Sequence, residues 1–237
     1  MLHRLIENIV DLILPRRCLK CGKLLENAGY LCDKCADEIN FIIPPYCQRC
    51  GNPLHDENSQ LCAGCASGKK RFYRLARSAM AYDDSDKNLI IAFKFFDRTE
   101  NANLLAAMMK VAGKDIFAAG VDMFIPVPLH YTRLIKRRYN QSSLLAEKLS
   151  RMTGIPTENF ALIRHRKTRP QVECSGRARV TNVKNAFSVK RPELISGKRI
   201  VLIDDIMTTG STLKESALAL KKAGAKSVDI LTAARVV

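Results

Sequence analysis

Apolar positions along this chain switch repeatedly between a helical period and an alternating or continuous one. Residues 1–15, MLHRLIENIVDLILP, set Leu5, Ile6, Ile9, Val10, Leu12 and Ile13 mostly on one side of a helix that Pro15 stops. Strand-like runs are expected at Arg74–Tyr82, Asp122–Val127, Phe160–Ile163, Ala186–Val189, Arg199–Ile203 and Ser227–Ala233. Helical spacing is expected at Lys87–Phe96, Asn103–Val111, Gln141–Arg151 and Ser211–Ala223, the last ending at Gly224, a natural C-cap. Strands alternating with helices imply βαβ units, an α/β fold with a mainly parallel sheet. In such sheets ligands bind beyond the carboxyl ends of the strands, beside helix N-termini.

Residues 16–68 break this pattern. Large apolar side chains thin out and cysteines take their place, as the pairs Cys18/Cys21, Cys32/Cys35, Cys47/Cys50 and Cys62/Cys65. The segment is an internal repeat of about thirty residues. Each copy reads C-x-x-C-G-x-x-L, a polar turn, then L-C-x-x-C. A C-x-x-C turn aims two sulfurs at one point, and two such turns supply a tetrahedral thiolate set for Zn²⁺. Gly22 and Gly51 follow the first pair of each copy, where a positive φ is needed. Two structural zinc ions are expected, paired sequentially by repeat, with a cross-braced arrangement left open. Closed four-sulfur sites of this kind contribute roughly 10–16 kcal/mol to folding, and so short a stretch has no other core. His55 is expected at the surface and Cys174 has no cysteine partner in the sequence. The competing disulfide reading needs a secreted chain. Residues 1–15 carry Glu7 and Asp11, lack a small-residue cleavage site, and are too short to span a bilayer. The expectation is a cytoplasmic protein with no membrane span and its thiols reduced for metal.

Charge changes the picture further. The 237 residues carry a formal +16. Between His130 and Arg199 there are 17 basic and four acidic residues, a surplus of 13. A field of that sign attracts phosphates, on nucleic acid or on a small molecule, although a solvated basic surface reads the same way.

The sharpest chemistry lies in "VLIDDIMTTGST", Val201–Thr212. Val201–Ile203 is expected as a central strand with Asp204 and Asp205 at its carboxyl end. Thr208, Thr209, Gly210, Ser211 and Thr212 open the next helix. A helix N-terminus offers N–H groups and a positive dipole end to an anion. Gly210 allows close backbone approach, and the hydroxyls add donors. The carboxylates do not suit a phosphate but accept from sugar hydroxyls. The segment therefore fits a ribose 5-phosphate. It is not a Walker A loop, because no G-x-x-x-x-G-K-[ST] occurs.

On these residues the segment resembles the phosphoribosyl-pyrophosphate (PRPP) motif of type I phosphoribosyltransferases. The resemblance implies that Asp204 and Asp205 contact the ribose hydroxyls, that Thr208–Thr212 wrap the 5-phosphate, and that Mg²⁺ accompanies the pyrophosphate. Nearly the whole chain is similar to the ComF family, associated with DNA uptake in competent bacteria. The double zinc ribbon is shared, as is "VPLHYTRLIKRRYNQSSLLA" (Val127–Ala146), although Arg138 and Tyr139 stand where that family usually reads Gly-Phe. "RHRKTRPQ" (Arg164–Gln171), Arg179, Asn182 and Phe187 also fit its spacing, while Cys174 takes an expected leucine position.

The implied architecture is a helix at 1–15, a double zinc ribbon at 16–68 and a type I phosphoribosyltransferase-like domain at 69–237. Arg133, Arg137, Arg166, Lys167 and Arg169 are candidates to offset pyrophosphate charge. The loop after Val127 and Pro128 is the expected pyrophosphate wall, and Arg164–Val180 reads as a covering loop. The implied role is PRPP binding in support of single-stranded DNA handling, with other competence or DNA-processing proteins as partners. Tyr131, Tyr139 and Phe187 are candidates to stack on bases. An active phosphoribosyltransferase of nucleotide metabolism and a non-catalytic PRPP-sensing regulator stay open, and no residue reads as an acceptor-recognition element.

Overall fold

The computed structural model describes residues 16–25, 29–68, 71–83, 89–91, 93, 101–166 and 183–237. The helix expected at 1–15, most of Lys87–Phe96, and Cys174 lie outside them. The cysteine repeat is a repeat in three dimensions. Gly22 N donates to Cys18 O and Gly51 N to Cys47 O, both at 2.8 Å. Antiparallel bridges Arg17–Leu24 and Tyr46–Pro53 flank the two turns at the same offset. Gly22 and Gly51 adopt φ of 78° and 67°. Each copy closes on a short helix begun by its third cysteine, α1 (Asp33–Asp37) and α2 (Ala63–Ala66).

Beyond residue 71 the chain forms β1 (Ala76–Ala81), α3 (Asn101–Ala112), α4 (Lys114–Ala118), β2 (Met123–Pro126), α5 (Tyr131–Arg137), α6 (Gln141–Thr153), β3 (Leu162–Arg164), β4 (Phe187–Val189), β5 (Arg199–Met207), α7 (Ser211–Lys222) and β6 (Ser227–Arg235). Four strands make one sheet in the order β1-β6-β5-β2, and every neighbouring pair is parallel. β3 and β4 stand apart as an antiparallel pair.

Alternation along the central strands separates two cores. Val201 and Ile203 face one way with Phe124 and Leu231, and pack with Leu105 and Met109 of α3 and Leu145 and Leu149 of α6. Ile200 and Leu202 face the other way with Ile125 and Ile230, and pack with Leu213, Ala217 and Leu220 of α7 and with Leu162 and Phe187 of the β3–β4 pair. Both sheet faces are covered, as a parallel sheet requires. Helix ends follow local chemistry. The Asn140 side chain caps α6 by accepting from Ser142 N at 3.1 Å, and Gly154 ends it at φ 75°.

The outer edge of β1 is not left open. Ile42 N donates to Ala79 O at 3.0 Å, Ala81 N to Asn40 O at 2.8 Å, and Ala76 N to Arg49 O at 2.9 Å. The cysteine-rich segment thus lies along the sheet and covers an edge that would otherwise pair with other chains. Among the described residues no helix is long and apolar enough to cross a membrane.

Candidate functional site

β5 carries the site, and its neighbours decide where it opens. β2 stops at Pro126, opposite Ile203. β6 continues, pairing Thr232 with Asp204, Ala234 with Ile206 and Arg235 with Met207. The strand therefore does not end at Ile203, as the apolar run suggested. β6 offers a ladder as far as Met207 and the strand follows it. From Asp204 onward, β5 has no strand partner on the β2 side among the described residues. The two carboxylates answer the backbone there. Asp205 N donates to Asp204 Oδ1 at 3.0 Å, and Ile206 N donates to Asp205 Oδ1 at 2.6 Å. Ser142 Oγ, in the first turn of α6, donates to Asp204 Oδ1 at 2.9 Å. Asp205 is buried and Asp204 half-buried, and hydrogen bonds to the charged form offset that burial.

After Met207 the chain turns through Thr208, Thr209 and Gly210 into α7. Gly210 sits at φ 71°, in the left-handed region, directly before the helix. Its approach to Met207 is close enough that a Cβ would lie 3.2 Å from Met207 Cε. The hydroxyls of Thr209 and Ser211 are 2.9 Å apart, and Ser211 N donates to Thr209 Oγ1 at 3.4 Å. Thr208–Thr212 therefore form a small-residue cradle at a helix N-terminus, where N–H groups lack helical acceptors and the dipole favours an anion.

The next loop begins where β2 ends. Val127 N donates to Ile203 O at 2.9 Å, and Asn140 Nδ2 donates to Val127 O at 3.1 Å. Buried His130 caps α5, its Nδ1 accepting from Thr132 N at 3.4 Å. Arg138 closes α5 at φ 64°, the left-handed conformation that suits the glycine its position resembles. Tyr139 OH donates to Phe93 O at 2.7 Å.

Of the candidate cations, Arg166 is exposed just past β3. Arg133 and Arg137 sit on α5 with side chains outside the described residues, as are Lys167 and Arg169 entirely. The aromatic candidates divide. Tyr131 is 65% exposed and its ring lies tilted against His130 with centroids 4.4 Å apart. Tyr139 is half-buried in the contact with Phe93. Phe187 is a core residue lying under the Arg164 guanidinium, so it presents no free face to a base. Sequence reasoning missed Ser142 and His130. Ser142 follows a recognisable N-cap, but nothing in the local pattern links it to Asp204.

The cysteines gather as two sets, Cys18, Cys21, Cys32 and Cys35, and Cys47, Cys50, Cys62 and Cys65. Pairing is sequential, one set per repeat. Within each set all four sulfurs lie within 4.8 Å of one another. The Cys21–Cys32 and Cys50–Cys62 sulfurs are 3.9 and 3.6 Å apart, near the roughly 3.8 Å edge of a tetrahedron with 2.3 Å metal–sulfur bonds. His55 is exposed and belongs to neither set. Burial pushes the Cys50 thiol up to about 12, with Cys47 and Cys62 beside it adding to the effect. Burial also opposes ionisation of Cys47, but backbone N–H groups hold its thiol down at about 6. The donor set and its spacing fit Zn²⁺.

Known families match both halves of this arrangement. The family model for a double zinc ribbon domain matches residues 9–66, and that for a phosphoribosyl transferase domain matches residues 127–236. The chain is a phosphoribosyltransferase-type α/β protein with an N-terminal double zinc ribbon. It is 33% identical over 226 residues to competence protein F of Haemophilus influenzae, spanning 92% of this chain and 96% of that one. It is 32% identical to the DNA utilization protein YhgH of Escherichia coli K12, over 92% and 96% of the two chains. Competence protein ComFC of Bacillus subtilis is 29% identical over 90% of this chain and 87% of its own. The chain belongs to the family of competence protein F.

Proposed function

We propose that this protein binds PRPP at the carboxyl end of β5 and supports the handling of single-stranded DNA. The observation that carries the first part is the pinned Asp204–Asp205 pair placed directly before the Thr208–Thr212 cradle. Acceptors for two ribose hydroxyls and donors for one phosphate stand within a single strand–loop–helix. The 5-phosphate takes Thr208, Thr209, Gly210, Ser211 and Thr212, and the ribose takes Asp204 and Asp205. The pyrophosphate, with its Mg²⁺, takes the wall at Val127–His130, and Arg133, Arg137, Arg166, Lys167 and Arg169 offset its charge. The two cysteine sets hold structural Zn²⁺, each closed by four sulfurs, in a reducing compartment. The DNA part is supported by relatives named for competence and DNA utilization and by the basic surplus from His130 to Arg199. The test is isothermal titration of the zinc-loaded protein with PRPP and Mg²⁺. Saturable binding is expected, displaced by ribose 5-phosphate. Absence of any heat or displacement would remove the PRPP reading.

A further inference from the structure

The second cysteine set and the cradle meet at one arginine. Arg235 ends β6, and its backbone faces Met207, the residue before Thr208. Val236 N donates to Met207 O at 3.0 Å, which fixes the root of the cradle to the end of β6. The Arg235 side chain is buried at 7% exposure, and its guanidinium Nη1 donates to Cys50 O, in the turn that holds the second set. That turn is gripped at three successive carbonyls. Gln48 O accepts from Arg77 Nη2 at 2.9 Å, Arg49 O accepts from Ala76 N at 2.9 Å, and Cys50 O accepts from Arg235. Gly51 then passes so close to β1 that a Cβ would lie 2.6 Å from Ala76 O. Around the set, Arg71 Nε, Tyr73 OH and Arg235 Nε are buried with no hydrogen-bond partner among the described residues, and Tyr73 packs against the sulfurs' own cluster.

We propose that Arg235 is a positioning residue that couples the second cysteine set to the phosphate cradle. A buried guanidinium needs its acceptors, and losing one is costly. Bound metal would hold the Cys47–Cys50 turn closed from the sulfur side, and Cys50 O with it. When the turn opens, Arg235 loses an acceptor, and the end of β6 and Met207 with it lose their anchor. The relation is reciprocal. A ligand that orders the cradle must tighten metal retention at the second set by the same factor. The second half of this inference rests on the PRPP reading, and the first half does not.

Two measurements separate the halves. The first is hydrogen exchange of the peptide spanning 205–213 in zinc-loaded protein without ligand. Arg235→Met is expected to speed exchange there about fivefold, at the lower end of measured coupling energies, while zinc content is unchanged. Arg235→Lys, which keeps a donor, is expected to restore most of the protection. Cys62→Ser with Cys65→Ser should loosen the same peptide, and Cys32→Ser with Cys35→Ser should not. Unchanged exchange in Arg235→Met, or equal loosening from both cysteine variants, overturns the coupling whether or not PRPP binds. The second is zinc affinity at equilibrium, by competition with a chromogenic chelator. PRPP with Mg²⁺ is expected to tighten one zinc equivalent about fivefold in wild type and not in Arg235→Met. If PRPP binds in titration yet tightens neither equivalent, the coupling to the cradle is wrong. If it does not bind at all, the PRPP reading fails and the exchange result still decides the role of Arg235.

Discussion

Asp204 is held by structural hydrogen bonds at the position the PRPP proposal gives to a ribose contact. Its Oδ1 accepts from Ser142 Oγ and from Asp205 N, and in the PRPP proposal a ribose hydroxyl donates to the same carboxylate. Asn keeps an accepting oxygen and loses the charge, so Asp204→Asn with Asp205→Asn is expected to fold. PRPP affinity should fall at least tenfold in that variant, or about 1.4 kcal/mol. Equal affinities by titration would show the pair to be structural only. A second carboxylate reports on acid stability. Asp122 accepts from Arg199 Nη2 at 3.1 Å and from Arg199 N at 2.7 Å, and these bonds hold it down at about 2, below its ordinary 3.8. A depressed carboxylate adds stability that is fully present above 3.8 and is lost as pH falls through about 2. Asp122→Asn should therefore lower the urea midpoint at pH 5 and flatten its decline between pH 4 and pH 2, relative to wild type. The carboxylate pair and cradle residues were legible because they are contiguous. Ser142 was not, because its partner is 62 residues away.

At the scale of elements, alternation on β2 and β5 divides two cores, and each face depends on large residues that fit it. Phe124 is fully buried between α3, α6 and the sheet. Phe124→Ala should cost about 3–5 kcal/mol in denaturant unfolding, from lost burial and the cavity left behind. A change under 1 kcal/mol would mean that this face packs loosely. The cysteine sets are elements in the same sense, built by turn geometry and closed by metal. Purified protein is expected to carry two zinc equivalents by elemental analysis, falling to one in Cys32→Ser with Cys35→Ser. Intact disulfides with no metal would defeat that expectation. Most strands and helices lay where the periodicity put them. α5 is not marked by periodicity because Tyr131, Leu134 and Ile135 are exposed, at 65%, 42% and 75%, so its pattern does not mark a buried face. The sequence pattern marks β3 and β4 as two strands, but strand periodicity names no partner, and the two run antiparallel outside the main sheet.

For the molecule as a whole, the +16 charge is the property that reaches beyond its own contacts. If the basic stretch follows a DNA backbone, single-strand binding should weaken with salt by about −0.7 in log–log slope per neutralised phosphate, near −3 for on the order of four. Removing charge at Arg166, Lys167 and Arg169 should flatten that slope for all sequences alike, since backbone contacts carry no base information. No binding of a labelled oligonucleotide at low salt would leave a small-molecule protein. What the sequence determined by itself was local chemistry. The four C-x-x-C pairs, the alternation of strands and helices, and the carboxylate–hydroxyl–glycine loop are each fixed by residues near one another in the chain, so spacing and periodicity record them. Tertiary structure alone decided that β5 runs on to Met207 beside β6, that Ser142 holds Asp204, that Phe187 is core, and that the second cysteine turn lies against β1 under Arg235. These depend on which strands become neighbours. A hydrogen bond such as that between Arg235 and Cys50, 185 residues apart, leaves no periodic trace in the chain, because it is made only once the parallel sheet has brought its two ends together.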